Sequence, residues 1–255
     1  MSGNKLEIKR NYKVIKSNEF IQKSRFKLSM PEQKVIWYII SKIKFEDEDF
    51  KWYEFNLNEF CRLCNIGTKG DNYKTIKAAL LSLASKNMWV ELIPGEVTTM
   101  SWIDKATIIK GNGMVRIRLD EDMMPYLLRI KEEYTTLDLS VAMAMNGKYE
   151  IRLYEILKCR AGNGKWRYEL NDLKRQMDVK IDKRYSDFNK DILAPAVEIN
   201  NQYADFIATY VPIKVDSRAY THVDFTFESK TMWQNYEAVT LIEKRLTPVE
   251  KQLTF

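Results

Sequence analysis

A few residue groups in this sequence have the types and spacings that carry chemistry. Cys61 and Cys64 are spaced like one half of a structural zinc site, which takes four Cys or His ligands. The further ligand candidates are Cys159 and His222, with no second paired motif, and the pair lies in a helix-patterned stretch. Small packed residues account for it better. Gly164-Lys165 has the ending of a phosphate-cradling loop, but Cys159 stands where the first Gly belongs and Trp166 where Ser or Thr should be. Gly111 and Gly113 open a dinucleotide fingerprint whose third Gly is replaced by Arg116. His222 is the single histidine, which leaves no His metal clamp and no nucleophile–base dyad beyond that residue. The acidic residues 46–49 read as a solvated loop. No enzyme, cofactor or metal signature survives.

What remains is the chemistry of binding a polyanion. The net charge of +6 is moderate, but residues 1–120 carry +7 and residues 121–255 carry −1. Within the second half, residues 148–190 hold 12 basic and 7 acidic groups, and the first 27 residues alone are +6. Clustered positive charge is the footprint expected for nucleic acid. With 45% hydrophobic residues, 255 positions can bury one large or two modest cores. No apolar run approaches the ~20 residues that span a bilayer. The polar, basic start has no secretory h-region, and three cysteines suit a reducing compartment, so a cytoplasmic location is expected.

The elements that would present those charges occur twice. From Phe55 the chain reads Phe-Asn-Leu-Asn-Glu-Phe-Cys-Arg-Leu-Cys-Asn-Ile, and from Tyr168 it reads Tyr-Glu-Leu-Asn-Asp-Leu-Lys-Arg-Gln-Met-Asp-Val. At this constant offset Leu57, Asn58 and Arg62 match Leu170, Asn171 and Arg175, and Glu59 falls on Asp172. Each copy then reaches a Tyr, Tyr73 or Tyr185, that opens a longer amphipathic helix. A short helix, a turn and a longer helix make a helix-turn-helix.

Before the first copy, Ser29, Pro31 and Glu32 form a helix start, followed by the apolar helix of Val35, Ile36, Trp37, Ile39 and Ile40. Before the second, residues 149–161 repeat that pattern. Strands are expected at 88–93 and 98–109 about the turn at Pro94-Gly95, and at 115–119 after Gly111-Asn112-Gly113. Strands at 207–215 and 219–227 flank the turn at residues 216–218. A β-hairpin following the second helix is a wing. Pro195 should kink the long helix of the second copy.

The long helices are candidates for the major groove, which is about 12 Å wide and whose guanine edge accepts from Lys and Arg. Candidate DNA contacts in the first copy are Lys69, Asn72, Lys74, Thr75 and Lys77. Those in the second are Lys183, Arg184, Ser186, Asn189 and Lys190. On the wings they are Lys110, Lys214 and Arg218, with Lys105, Arg116 and Arg118 as half-exposed strand residues. The second helix has few basic groups beyond its first turn, so Lys183, Arg184 and Lys190 suit phosphate anchoring.

Val14-Ile15-Lys16-Ser17-Asn18-Glu19, Leu28-Ser29-Met30-Pro31-Glu32-Gln33, Met124-Pro125-Tyr126-Leu127-Leu128, the helix Tyr149-Glu150-Ile151-Arg152-Leu153-Tyr154-Glu155-Ile156-Leu157-Lys158 and Glu198-Ile199-Asn200 together resemble the initiator replication proteins of iteron-containing plasmids. The resemblance spans roughly residues 12–228. It implies two tandem winged-helix domains that bind direct repeats of double-stranded DNA at an origin, open the duplex and recruit the host helicase-loading machinery. It also implies a monomer–dimer equilibrium through the first domain, with the dimer repressing its own gene.

The expected fold is α+β, two tandem winged-helix domains related by internal duplication. The boundaries are a flexible basic arm at 1–16, a first domain at 17–120, a joint at 121–138, a second domain at 139–230 and a polar tail at 231–255. The alternative function is a winged-helix transcriptional repressor without initiator activity. A rolling-circle enzyme needs a catalytic Tyr beside a His metal site and is disfavoured by the single histidine. A protein-binding scaffold would not need the basic arm.

Overall fold

The computed structural model describes residues 13–246, except 45–46, 65–69, 94–95, 110–112, 129, 131–132 and 216–217. The chain begins with β1 (Lys13–Ser17) and α1 (Asn18–Lys23), where the Ser17 hydroxyl accepts from the Phe20 amide at 3.1 Å and caps the helix. Helix α2 (Met30–Ile40) starts as the sequence predicts. Glu32 reaches back to accept from the Ser29 amide at 2.6 Å, satisfying an otherwise orphaned donor. The first helix-turn-helix follows as β2 (Tyr53–Asn56), α3 (Leu57–Leu63) and α4 (Gly70–Leu83). Lys86, just past α4, donates to both Glu32 oxygens at 2.7 and 2.9 Å and ties the end of α4 to the start of α2.

Four strands come next: β3 (Asn87–Ile93), β4 (Glu96–Ser101), β5 (Ile103–Ile109) and β6 (Met114–Leu119). The single strand expected at 98–109 is thus two strands in different sheets. Trp102 makes the break. Its ring is 1% exposed and sits edge-on to Phe20 and Phe26, so the chain bends there to bury it. A 3₁₀ turn, α5 (Met124–Leu127) and β7 (Tyr134–Asp138) lead into the second half.

The second half is α6 (Leu139–Ala144), α7 (Lys148–Ala161), β8 (Lys165–Glu169), α8 (Leu170–Gln176), α9 (Tyr185–Phe188), a π turn at Asn189–Leu193 and α10 (Ala194–Tyr203). Strands β9 (Phe206–Ile213) and β10 (His222–Ser229) and helix α11 (Met232–Leu246) complete it. Pro195 lies in the first turn of α10. The π turn just before it, closed by the Ala194 amide on the Asn189 carbonyl, accommodates the missing donor. The wider turn also shifts the phase of the buried face. Asn200 is fully buried there, whereas simple helical spacing from Phe188 would bury Ile199.

The two sheets that belong to the repeats have the same order, β2-β6-β5 and β8-β10-β9, with the returning strand in the centre. The β3–β4 hairpin has no counterpart in the second half and is an insertion between α4 and the true wing.

Three expectations about boundaries are corrected. Residues 13–16, assigned to a flexible arm, form β1, which pairs antiparallel with β7 from Lys13↔Asp138 to Ser17↔Tyr134. The rest of the expected arm lies outside the described residues. The segment 121–138 is therefore more than a joint, because its last strand is the partner that orders β1. The segment 231–255 is not loose as far as residue 246. Helix α11 buries Ala238, Ile242 and Leu246 at i, i+4, i+8 spacing against α6 and α10. Exposed Met232, Trp233 and Tyr236 hide that stripe in the sequence.

One continuous apolar core runs through both halves. Trp37 of α2 stacks on Tyr154 of α7 at 5.9 Å. Around them lies a buried polar seam. Glu155 holds Lys16 on one side and Arg152, at 2.7 Å, on the other, and all three are at most 3% exposed. Arg152 also donates to the Ile21 and Gln176 carbonyls at 2.7 and 2.9 Å. Lys34, fully buried, donates to the Met143 carbonyl at 2.8 Å and the Cys64 carbonyl at 3.4 Å, the negative ends of α6 and α3. Burial pushes its ammonium pKa down.

Asn200 fastens α10 to α7, its amide donating to the Ala196 and Glu150 carbonyls at 2.8 and 3.0 Å. Truncating it as Asn200→Ala is expected to cost about 1–3 kcal/mol, because two buried side-chain hydrogen bonds are lost together. The measurement is the urea midpoint at unchanged slope. A loss below about 0.5 kcal/mol would mean that water replaces the amide and that it has no role in fastening α10 to α7.

Candidate nucleic-acid interface

Each helix-turn-helix is positioned by the same local devices. The residue before its first helix is an N-cap: Asn56 accepts from the Asn58 amide at 2.9 Å, and Glu169 accepts from the Asn171 amide at 3.0 Å. The next residue fastens the helix to its wing: Leu57 donates to the Gly113 carbonyl at 2.9 Å and Leu170 to the Thr221 carbonyl at 2.8 Å. The aligned residues therefore do the same work in both copies.

The turn of the second copy is held from below by Lys174. Its buried ammonium donates to the Lys183 and Ile181 carbonyls at 2.7 and 3.0 Å. Asp178 takes a left-handed φ of 55° at the end of α8 and accepts from Lys148 at 3.0 Å.

The candidate contacts fall as follows. Lys74, Thr75 and Lys77 are exposed on α4, and Asn72 lies in its first turn. Lys69 and Lys110 lie outside the described residues. In the second copy Arg184, Ser186 and Lys190 are exposed on the outer face of the long helix. Lys183 is half-buried and pairs with Asp191 at 2.9 Å. That partner holds its ammonium above the ordinary value. On the second wing Lys214 sits 4.9 Å over the Tyr220 ring, and Arg218 is exposed near the turn.

The first wing is less available than its sequence suggests. Arg116 bonds Glu54 across the sheet at 2.7 Å, and Arg118 pairs with Glu121. Lys105 stays exposed.

Asn189 departs from the expected open face. It is half-buried, and its side-chain oxygen accepts from Tyr210 of β9 at 2.6 Å and from Tyr185 at 3.4 Å. Tyr185 in turn packs against Tyr220, the two rings tilted with their centroids 4.7 Å apart. Three tyrosines thus join the long helix to its wing. Sequence reading took Tyr185 as a helix opener and did not single out Tyr210 or Tyr220. The signal available was Tyr210 on the same face of β9 as Phe206 and Ala208, toward the helix.

The residues singled out for other chemistry are placed as follows. Cys61 and Cys64 are buried, and the Cys64 sulfur lies 3.3 Å from that of Met143. Among the described residues no group of three or more His, Cys, Asp or Glu is placed to hold a metal. Burial pushes the Cys64 thiol up to about 12 and raises that of Cys61. In native protein near about pH 8 both thiols should resist a small thiol reagent and react on unfolding in urea. Modification of Cys64 at a free-thiol rate without unfolding would contradict this burial. His222 sits in β10 with its Nδ1 2.9 Å from the Thr221 hydroxyl.

Two family models match in the order of the two units. Residues 13–158 match the initiator replication protein WH1 domain, and residues 169–227 match the initiator Rep protein WH2 domain. The chain belongs to the initiator replication protein family. It is similar to the crystal structure of the Pi initiator protein in complex with iteron DNA, with a TM-score of 0.71 at 15% identity over 88% of this chain and 99% of that one. It is also similar to domains 2 and 3 of RctB, with a TM-score of 0.49 at 8% identity over 78% and 80% of the two chains. The first likeness extends the tandem winged-helix fold across nearly the whole chain. The WH1 match begins at residue 13 and so takes in β1, of which the sequence reading left residues 13–16 in the arm. Among the described residues no helix is long and apolar enough to cross a membrane.

Proposed function

We propose that this chain initiates plasmid replication by binding direct repeats of double-stranded DNA at an origin, one major groove per winged helix. What supports the reading is the pairing of two family-matched winged helices with basic residues on the outer faces of both long helices. The similar Pi initiator was crystallised with iteron DNA, which points to the same ligand here. Lys69, Asn72, Lys74, Thr75, Lys77 and Lys110 would serve the first groove. Arg184, Ser186 and Lys190 would serve the second, with Lys183, Asn189, Lys214 and Arg218 at its edges. Self-association through the first unit, repression of its own gene, recruitment of host helicase-loading proteins and a cytoplasmic location belong to the same proposal.

Footprinting on the DNA that flanks the chain's own gene tests it. Regularly spaced protected repeats are expected. A single palindrome would favour a repressor, and no protection would end the reading.

The proposal includes no catalytic step. The lone histidine lies in a wing strand with its Nδ1 2.9 Å from the Thr221 hydroxyl, and among the described residues no group of three or more His, Cys, Asp or Glu is placed to hold a metal beside a tyrosine. Purified protein should therefore leave supercoiled DNA uncut with Mg²⁺ or Mn²⁺, and a trapped tyrosine–DNA adduct would overturn that expectation.

A further inference from the structure

Asn in the major groove ordinarily reads adenine by a two-point contact: its oxygen accepts from the N6 amino group while its amide donates to N7. The carboxamide oxygen has two lone pairs for such work. At Asn189 both are engaged from within the protein, by the Tyr210 hydroxyl at 2.6 Å and the Tyr185 hydroxyl at 3.4 Å. Burial raises the pKa of both phenols, that of Tyr185 to about 12, so both remain protonated donors at neutral pH. Asn189 opens the π turn, one residue before exposed Lys190 and three after exposed Ser186. Its amide group is what is left to present at the helix edge.

We infer that Asn189 is a specificity-determining residue of donor-only character, its oxygen withheld by Tyr210 and Tyr185, and that it selects guanine over adenine in the second unit's groove. Guanine offers O6 and N7, two acceptors side by side, to the amide hydrogens. Adenine in the same place offers N7 but sets its N6 amino group against a carboxamide with no acceptor to spare. The ordinary rule for Asn is thereby inverted by residues on the wing. The inference rests on the DNA-binding reading given above.

The test uses the full chain and duplexes that it selects from a randomised double-stranded pool. Affinities are then measured for every single base-pair substitution of the selected sequence. One position should favour guanine over adenine by about tenfold, within the range that one good base contact supplies. Asn189→Ala should flatten that position and no other. Tyr210→Phe, which frees one lone pair, should shift the guanine-to-adenine ratio there about tenfold toward adenine. Asn189→Asp keeps an acceptor for both tyrosines but loses the donors. It should flatten the same position with the thermal melt unchanged, which separates readout from folding.

The inference fails if the Asn189-dependent position favours adenine, if Tyr210→Phe leaves the ratio unmoved, or if Asn189→Ala weakens all sequences evenly. A wild-type chain that selects no sequence from the pool defeats the DNA-binding reading itself, and this inference with it. A clear selected sequence with no Asn189-dependent position defeats the inference alone.

Discussion

Replacing Glu155 with Gln is expected to destabilise the protein by about 3–5 kcal/mol, the range seen when one member of a buried charged group is removed. Glu155 is the only carboxylate of a seam in which Lys16 and Arg152 are each at most 3% exposed. Gln is nearly the same size, so packing is preserved and the effect isolates the charge. Two cations would then face one another in the core without compensation. At this chain length the loss corresponds to a fall in Tm of about 10 °C.

The pH dependence has the same origin. Burial acts to raise the Glu155 carboxyl, but Lys16 and Arg152 outweigh it and hold it below its ordinary value of 4.5. A depressed folded-state value means the contribution is complete above about pH 4.5 and is lost as pH falls through the lower folded value. Glu155→Gln should flatten the acid limb of the stability curve. A loss under about 1 kcal/mol, or an unchanged acid limb, would show that water reaches the seam and screens it. The triple replacement of Lys16, Arg152 and Glu155 by apolar residues of similar size should be milder than the single change, since no charge is left buried.

The second large effect is on DNA binding. A quadruple Ala variant at Lys74, Lys77, Arg184 and Lys190 should lower the slope of log K against log salt by about four, two from each unit. All four side chains lie off the buried faces, so the thermal melt should hardly change. The pair in α4 should shorten the footprint from one end, and the pair in α9 and the π turn from the other. Equal weakening along the whole footprint, or no effect from one pair, would mean that one unit alone touches DNA.

Lys183 should behave differently because Asp191 already holds it at 2.9 Å. Lys183→Ala leaves that carboxylate facing the phosphates. Asp191→Asn releases the lysine and should tighten binding and steepen the slope by about one. No change in slope for Asp191→Asn would place this edge of the helix away from the backbone.

The helix-turn-helix units were legible because their signals are local. The echo between residues 55–66 and 168–179 preserves the cap positions Asn56 and Glu169 and the wing-fastening amides of Leu57 and Leu170, all set within a few residues. Strand β1 was not legible, because five residues with buried lysine in their midst show no period until their partner β7 is known. The break at Trp102 depends on Phe20 and Phe26, some 80 residues away. The π turn before Pro195 could not be read from the proline alone, which signals only that a backbone donor is missing. At the candidate interface the exposed cations could be read from helical phase alone. The restraint on Asn189 could not, because it comes from a wing tyrosine 21 residues downstream.

The pairing of β1 with β7 has a consequence for how the molecule is made. Lys13 and Asp138 are 125 residues apart, and Lys16 is 139 residues from Glu155. A ribosome takes on the order of ten seconds to cover that distance. Until then Lys16 is a hydrated cation on an open chain, and the side of α2 that will meet Tyr154 has nothing to cover it. Strand β1 is made well before its partners and is among the last segments to be seated, so nascent chains must shelter an unfinished first unit until the helix that closes it has been made.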